Sequence, residues 1–370
     1  MQPSDQQHIA QIRPFLKELE LIPFEGYNEP GRWKNRLAGW RKLLFNKLPK
    51  YVQTFPVSEM REPLRRLIKT KSFDVVAIDQ LYLVQLKTEL TGIPAVLVEH
   101  NVESAALARR YQTASNPLHK VRDWINWKRL KEFERYWLQQ FRVCVAVSSD
   151  DAVRTSQLAP SALVLIVPNG VDCSHFKNEG SQRNENKVLF FGTLNYGPNI
   201  DALEWFCCDI WPSILSRLPD AELEIVGIDP TPRVISLSNE PGVFLTAFVP
   251  DIRPKLWLST VTVVPIRIGG GTRLKILEAM AAGCPVVSTS FGAEGLDVEN
   301  GKHLHLADSQ RDFAEKVIGM LMRSDESAMM AHAARELVEE QYDWQVISAR
   351  FEYALEKTIE MHGSTATKKP

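Results

Sequence analysis

The chain predicts an α/β protein made of two Rossmann-like domains that face each other across a cleft. Strand-like runs alternate with helical stretches, and the series stops and restarts midway. The 370 residues exceed what one compact core organises. A polar segment, Asn178 to Asn186, holds no apolar residue and separates the two series as a linker. Charge divides at the same place: residues 1–170 carry 25 Lys and Arg against 17 Asp and Glu, a net of +8, and the remainder carries −9. That asymmetry supports two domains, the basic one expected to face an anionic partner.

In order along the chain, buried strands are expected at Leu19–Pro23, Asp74–Ile78, Ala95–Glu99, Val143–Val147 and Leu163–Val167. Amphipathic stretches lie between several of them, such as Ser104–Gln140. Val145-Ala-Val-Ser-Ser-Asp-Asp151 reads as a strand ending in a helix N-cap, and Pro168-Asn-Gly-Val-Asp172 as a tight turn closing the first half. The second half has strands at Lys187–Phe191, Glu222–Val226, Val243–Leu245, Thr260–Ile266, Pro285–Ser288 and His303–Leu306. Domain limits follow as 1–172, a linker at 173–186, and 187–343, with a helix at 344–360 crossing back to the first domain. No run of 18 apolar residues is long enough to span a bilayer, and the polar start is no signal peptide. Five cysteines without metal-ligand spacing fit a reducing cytoplasm.

Arg267-Ile-Gly-Gly-Gly-Thr-Arg-Leu-Lys-Ile-Leu-Glu278 carries the chemistry. A β-branched run feeds three glycines, and these feed a helix expected to open near Thr272. Glycines let the backbone approach a ligand, and the free amides of a helix's first turn point at an anion. Arg267, Arg273 and Lys275 add positive charge, and Glu278, about 1.7 turns on, reaches for sugar hydroxyls. The loop is neither a Walker loop nor the dinucleotide fingerprint, because neither set of glycine and partner spacings is met. The pattern points to a nucleotide-sugar site.

Together with Phe191-Gly-Thr-Leu-Asn-Tyr-Gly-Pro-Asn-Ile-Asp-Ala202, Val226-Gly227, Phe248-Val-Pro-Asp251 and Tyr342-Asp-Trp344, this loop resembles that of retaining, GT-B-fold glycosyltransferases of family 4, over about residues 70–360. The resemblance implies donor contacts from Gly192, Thr193, Asn199, Phe248, Val249, Gly269, Gly270, Gly271, Thr272, Arg273 and Leu274. It implies that Arg267 and Lys275 hold the departing diphosphate, that Glu278 binds the ribose, and that His100 stands beside the donor sugar. It further implies a UDP-, GDP- or TDP-sugar co-substrate, a glycan or lipid-linked acceptor, no metal and no other cofactor. No Asp-x-Asp pair stands at a strand end to carry a metal.

Two departures from the family pattern stand out. Many relatives have a Glu eight residues before Glu278 that contacts the sugar; here that position is Gly270. The opening strand and Gly-rich loop of the first domain are also not found, so that domain is expected to be incomplete, its sheet gapped or rearranged. A nucleotide-sugar-binding protein with impaired turnover is therefore the rival reading. A nucleotide-sugar epimerase needs an acid/base carboxylate pair that the residues do not supply.

Two basic stretches remain. Gly31–Lys50 has seven basic residues and no acidic one, with Trp33, Leu37, Trp40, Leu44 and Leu48 along one stripe. It reads either as an interfacial helix on an anionic membrane, at the inner face, or as a helix packed on the sheet with a solvated basic face. Trp124–Trp137 mixes aromatics with cations, but its three- and four-residue apolar spacing favours core packing over nucleic acid.

Overall fold

A computed structural model of the chain describes residues 12–22, 55–113, 117–181, 183–184 and 186–366, with the isolated positions 9, 48, 49 and 52. Two compact units are formed, one from residues 1–146, 152–165 and 353–370, the other from 147–151 and 166–352.

The first unit is built on four strands, β1 (Val76–Asp79), β2 (Ala95–Glu99), β3 (Val143–Ala146) and β4 (Leu163–Ile166), which neighbour one another in chain order. β1 pairs with β2 and β2 with β3 in parallel, Asp79 lying opposite Val98 and Leu97 opposite Cys144. Val96, Leu97 and the whole of β3 are buried, as expected of strands covered on both faces. Between β2 and β3 run α1 (Glu103–Thr113) and α2 (Pro117–Leu138). The single amphipathic stretch expected over 104–140 is thus two helices. Pro117 opens the second, where a missing amide is harmless. Leu130 and Leu138 of α2 enter the core with Trp127, Phe133 and Trp137 packed against it. Trp124 instead lies partly open under the Lys128 ammonium, 4.2 Å from its ring centroid.

The second unit has a six-stranded parallel sheet, with β5 (Lys187–Phe191), β6 (Glu222–Val226), β7 (Val243–Thr246), β8 (Val261–Val264), β9 (Val286–Ser288) and β10 (His305–Leu306) in the order β10-β9-β8-β5-β6-β7. Val188, Leu189, Phe190, Leu223, Ile225, Val263, Val264, Val286 and Val287 have no exposed surface, which is why these strands read as continuous apolar runs. β5 has β6 on one side and β8 on the other. The chain order reverses there, and such a switch point opens a crevice beyond the carboxyl ends of the strands. Three further helices matter below: α3 (Gly197–Trp205), α4 (Leu274–Ala281) and α5 (Trp344–Ala366). α5 runs from the second unit into the first, which it joins at Tyr353.

The strand expected at Leu19–Pro23 does not form over its described residues, 19–22. Glu18 and Glu20 are drawn instead into ion pairs with Lys71 and Arg66, and no strand among the described residues pairs with this segment. Among the described residues, β1 to β4 follow one another in the sheet without a break. Positions 31–47 and 50 of the basic stretch lie outside the described residues. No helix among the described residues is long and apolar enough to cross a membrane.

Candidate functional site

The site in the second unit begins where β5 ends. Gly192 has φ +146° and its amide donates to the Val226 carbonyl at 3.0 Å. The ends of β5 and β6 touch here: a Cβ on Gly227 would lie 1.8 Å from the Gly192 carbonyl oxygen, so no side chain fits at 227. Leu194 then bonds across to Ile228 at 2.9 Å, and the chain turns into α3, with Pro198 in its first turn. Asn199 is buried in that turn. Its Nδ2 donates to the Thr193 carbonyl at 2.8 Å, and its Oδ1 accepts from Lys275 Nζ at 3.1 Å.

The glycine loop follows β8. Gly269 and Gly271 have φ +111° and +79°, conformations that favour glycine, and Gly269 also lies against Pro198. The helix opens at Leu274 rather than near Thr272. Arg273 has φ −88° and ψ 89°, outside the helical region, and its guanidinium donates to the carbonyls of Gly270 and Gly271. The amides at the helix start therefore belong to Leu274 and the residues after it, and Gly270 to Arg273 form an irregular segment, bent at Gly271, ahead of them. Behind the loop, Thr289 donates to the Ile266 carbonyl and receives the Gly292 amide at 2.8 Å, which holds the end of β8 in place. Thr272 borders Gly295, where a Cβ would come 3.5 Å from its Oγ1.

Lys275 reaches back from α4 beneath Gly192, with Nζ 4.4 Å from the Phe190 ring centroid. A Cβ at Gly192 would stand 2.8 Å from that ammonium, so glycine at 192 is also what leaves room for the lysine. Burial, with the Arg273 charge adding to it, pushes Lys275 down to about 7. Glu278, one turn on, is raised by burial, opposed by the nearby Lys275. The Glu278 side chain is half-buried.

Arg267 is held as a fork: Nη2 and Nε meet the two oxygens of Asp201 at 2.9 and 3.2 Å, and the guanidinium lies 4.7 Å over the Trp205 ring. Asp201 and Trp205 sit four residues apart on one face of α3. Neither was singled out from the sequence, although both fall in or beside the Phe191–Ala202 segment. Their pairing to Arg267, 66 positions beyond Asp201, appears only when β5 and β8 are laid side by side. Phe248 follows β7 with 67% of its surface exposed, a ring open to a planar ligand, while Val249 packs on the core and Leu274 is largely open.

His100 is in the first unit, just past the end of β2. Its Nε2 lies 2.6 Å from Asp79 Oδ1, and that bond raises its pKa against the opposing effect of burial. Every other expected site residue is in the second unit. No group of three or more His, Cys, Asp and Glu among the described residues is placed to share a metal ion.

Comparison with known proteins bears on the family and the fold. Residues 185–323 match the model for Glycosyl transferases group 1, and residues 27–175 match that for Glycosyltransferase Family 4, which starts well ahead of residue 70. An uncharacterized 44.6 kDa protein in the cps region of Klebsiella pneumoniae is 23% identical over 316 residues, covering 82% of this chain and 79% of that protein. A GDP-mannose-dependent alpha-(1-6)-phosphatidylinositol monomannoside mannosyltransferase of Mycobacterium tuberculosis is 27% identical over 218 residues, or 53% of this chain. The match covers 56% of that enzyme, little more than half its length. Among solved structures, Anabaena HepE in complex with UDP superposes with a TM-score of 0.62 at 16% identity, over 81% of this chain and 82% of that one, a likeness of fold.

Proposed function

The chain belongs to the family 4, group 1 glycosyltransferases, and from that premise we propose that it moves a sugar from a nucleoside diphosphate sugar to a glycan or lipid-linked acceptor, with retention and without a metal. The observation that carries the reading is the convergence of Lys275, Arg267, Arg273 and the glycine loop at the switch point of the second sheet, with Glu278 one turn behind. In transfer, the bond from the anomeric carbon to the diphosphate oxygen breaks and a bond to the acceptor oxygen forms on the same face. The acceptor's proton leaves on the phosphate. Negative charge grows on the diphosphate, where fixed amides and cations stabilise it without reorganising. Lys275 is suited to this because its ammonium is poorly solvated before the ligand arrives, so the incoming anion is its natural partner.

Glu278 takes the ribose hydroxyls and Phe248 stacks on the base, while His100 acts at the donor sugar. The relatives support both halves of the reading: one is named as GDP-mannose-dependent with a phosphatidylinositol mannoside acceptor, and HepE was solved with UDP. With Gly270 in place of the sugar-binding Glu of many relatives, the donor sugar is selected by other contacts. The test is calorimetry of the full chain with UDP, GDP and TDP, followed by transfer from the matching sugar donors in chelator, with the product's anomeric configuration read by NMR. Binding of one nucleoside diphosphate, turnover in chelator and retention are expected. Failure to bind any of the three refutes the proposal, and binding without turnover on any acceptor favours the impaired binding protein.

A further inference from the structure

We propose that Asp79 is a positioning residue for His100, holding the imidazole through Nε2–H and leaving Nδ1 as the nitrogen that meets the ligand. The proposal rests on the reading of His100 as the residue that acts at the donor sugar. Asp79 and His100 leave the carboxyl ends of two neighbouring parallel strands, with Asp79 in register with Val98 two residues before the histidine. The Nε2 to Oδ1 distance of 2.6 Å is at the short end for a charge-assisted bond. The Asp79 side chain is 64% exposed and that of His100 38%, and ion pairs so open to water add little to stability. Stability is therefore a poor explanation for it.

The backbone on both sides is built to hold the pair. Gln80, next to Asp79, has φ +80° and ψ 144°, a region that only glycine enters without strain. Its amide still donates to the Val98 carbonyl at 2.9 Å, extending the ladder one residue past β1 and fixing Asp79 against β2. On the His100 side, the turn from Glu99 into α1 is pinned by the Glu134 carboxylate, which accepts the Ser104 amide at 2.9 Å. Glu103, on the same turn, is bonded by Tyr82. Strained backbone of this kind concentrates at functional sites, and here it supports a carboxylate that meets the imidazole. A carboxylate on one ring nitrogen fixes the tautomer, so Nδ1 accepts when the ring is neutral and donates when it is protonated.

The test uses the full chain. In 15N-histidine-labelled protein, the His100 signals, assigned by their loss in His100→Gln among the eight histidines, should show Nε2–H and a midpoint above that of an ordinary histidine. Asp79→Ala should lower the midpoint and mix the tautomers, while Asp79→Asn should keep the tautomer but lower the midpoint. In turnover, Asp79→Ala should reduce kcat roughly tenfold to a hundredfold with little change in nucleotide affinity. The double variant with His100→Ala should be no slower than His100→Ala alone. Wild-type turnover by His100→Ala overturns the role of His100 and with it the catalytic meaning of the pair, while the NMR separately decides whether the bond exists. A slow His100→Ala beside a fully active Asp79→Ala, or a double variant far below His100→Ala, overturns the positioning role and leaves that of His100 standing.

Discussion

Glu278 and Lys275 give opposite tests of one site. Glu278→Ala should remove charge-assisted bonds worth about 1.5–3 kcal/mol and weaken nucleoside diphosphate binding about tenfold or more, read by calorimetry. Unchanged affinity removes the ribose from its role. Burial holds Lys275 down at about 7, and an anion beside it must raise that value. Binding therefore takes up a proton, and affinity should fall as pH rises from 7 to 9, approaching about tenfold per pH unit. Titrations at pH 8 in buffers of different ionisation enthalpy should show this uptake, and Lys275→Met should abolish it. Asp201→Asn should free Arg267 from its fork, lowering turnover more than nucleotide affinity if the guanidinium acts on growing charge. A change in affinity alone would make it a ground-state anchor. The cations and Glu278 were legible in the sequence because they stand within one loop and one helix. Asp201 and Asp79 were not, because each meets its partner only through strand pairing.

At the level of elements, every strand from β1 to β10 overlaps a run read from the sequence, and the signal is clearest where a strand is buried throughout and largely apolar, as in β3, β8 and β9. Leu19–Ile22 has similar composition but alternates with glutamates, and local pattern does not tell whether a neighbouring strand exists to receive it. The start of α4 was misread for a different reason: Arg273 turns its guanidinium onto the loop's own carbonyls, a choice made by the side chain and not by propensity. The cap on α1 makes a further prediction. Glu134 is fully buried on α2, and burial, partly offset by its bond to the Ser104 amide and reinforced by the Glu103 charge, pushes it up to about 7. With the folded value above the unfolded one, the folded chain holds a proton that the unfolded chain has lost, so stability falls between about pH 4.5 and 7. Glu134→Gln keeps an acceptor for the amide without the charge. It should leave the melting temperature at pH 5 nearly unchanged and raise it at pH 8, and a lower value at both would refute this account.

Across the whole molecule, two cores in two units make for separable unfolding. Scanning calorimetry should resolve two transitions, and saturating UDP or GDP should raise the one that belongs to the second unit, by several degrees at a hundredfold excess over Kd. A single transition would contradict separable units, and a shift of the other one would contradict nucleoside diphosphate contacts confined to residues 192–278. Helix α5 also bears on how the chain is made. The second unit takes its residues almost continuously from 166 to 352, whereas the first needs 353–366 in addition to its early segments. A growing chain emerging from the ribosome therefore finishes the later unit first and leaves the earlier one waiting for residues 353–366. A stop codon just after Glu352 should spare the nucleotide-binding half and strand the half that was translated before it.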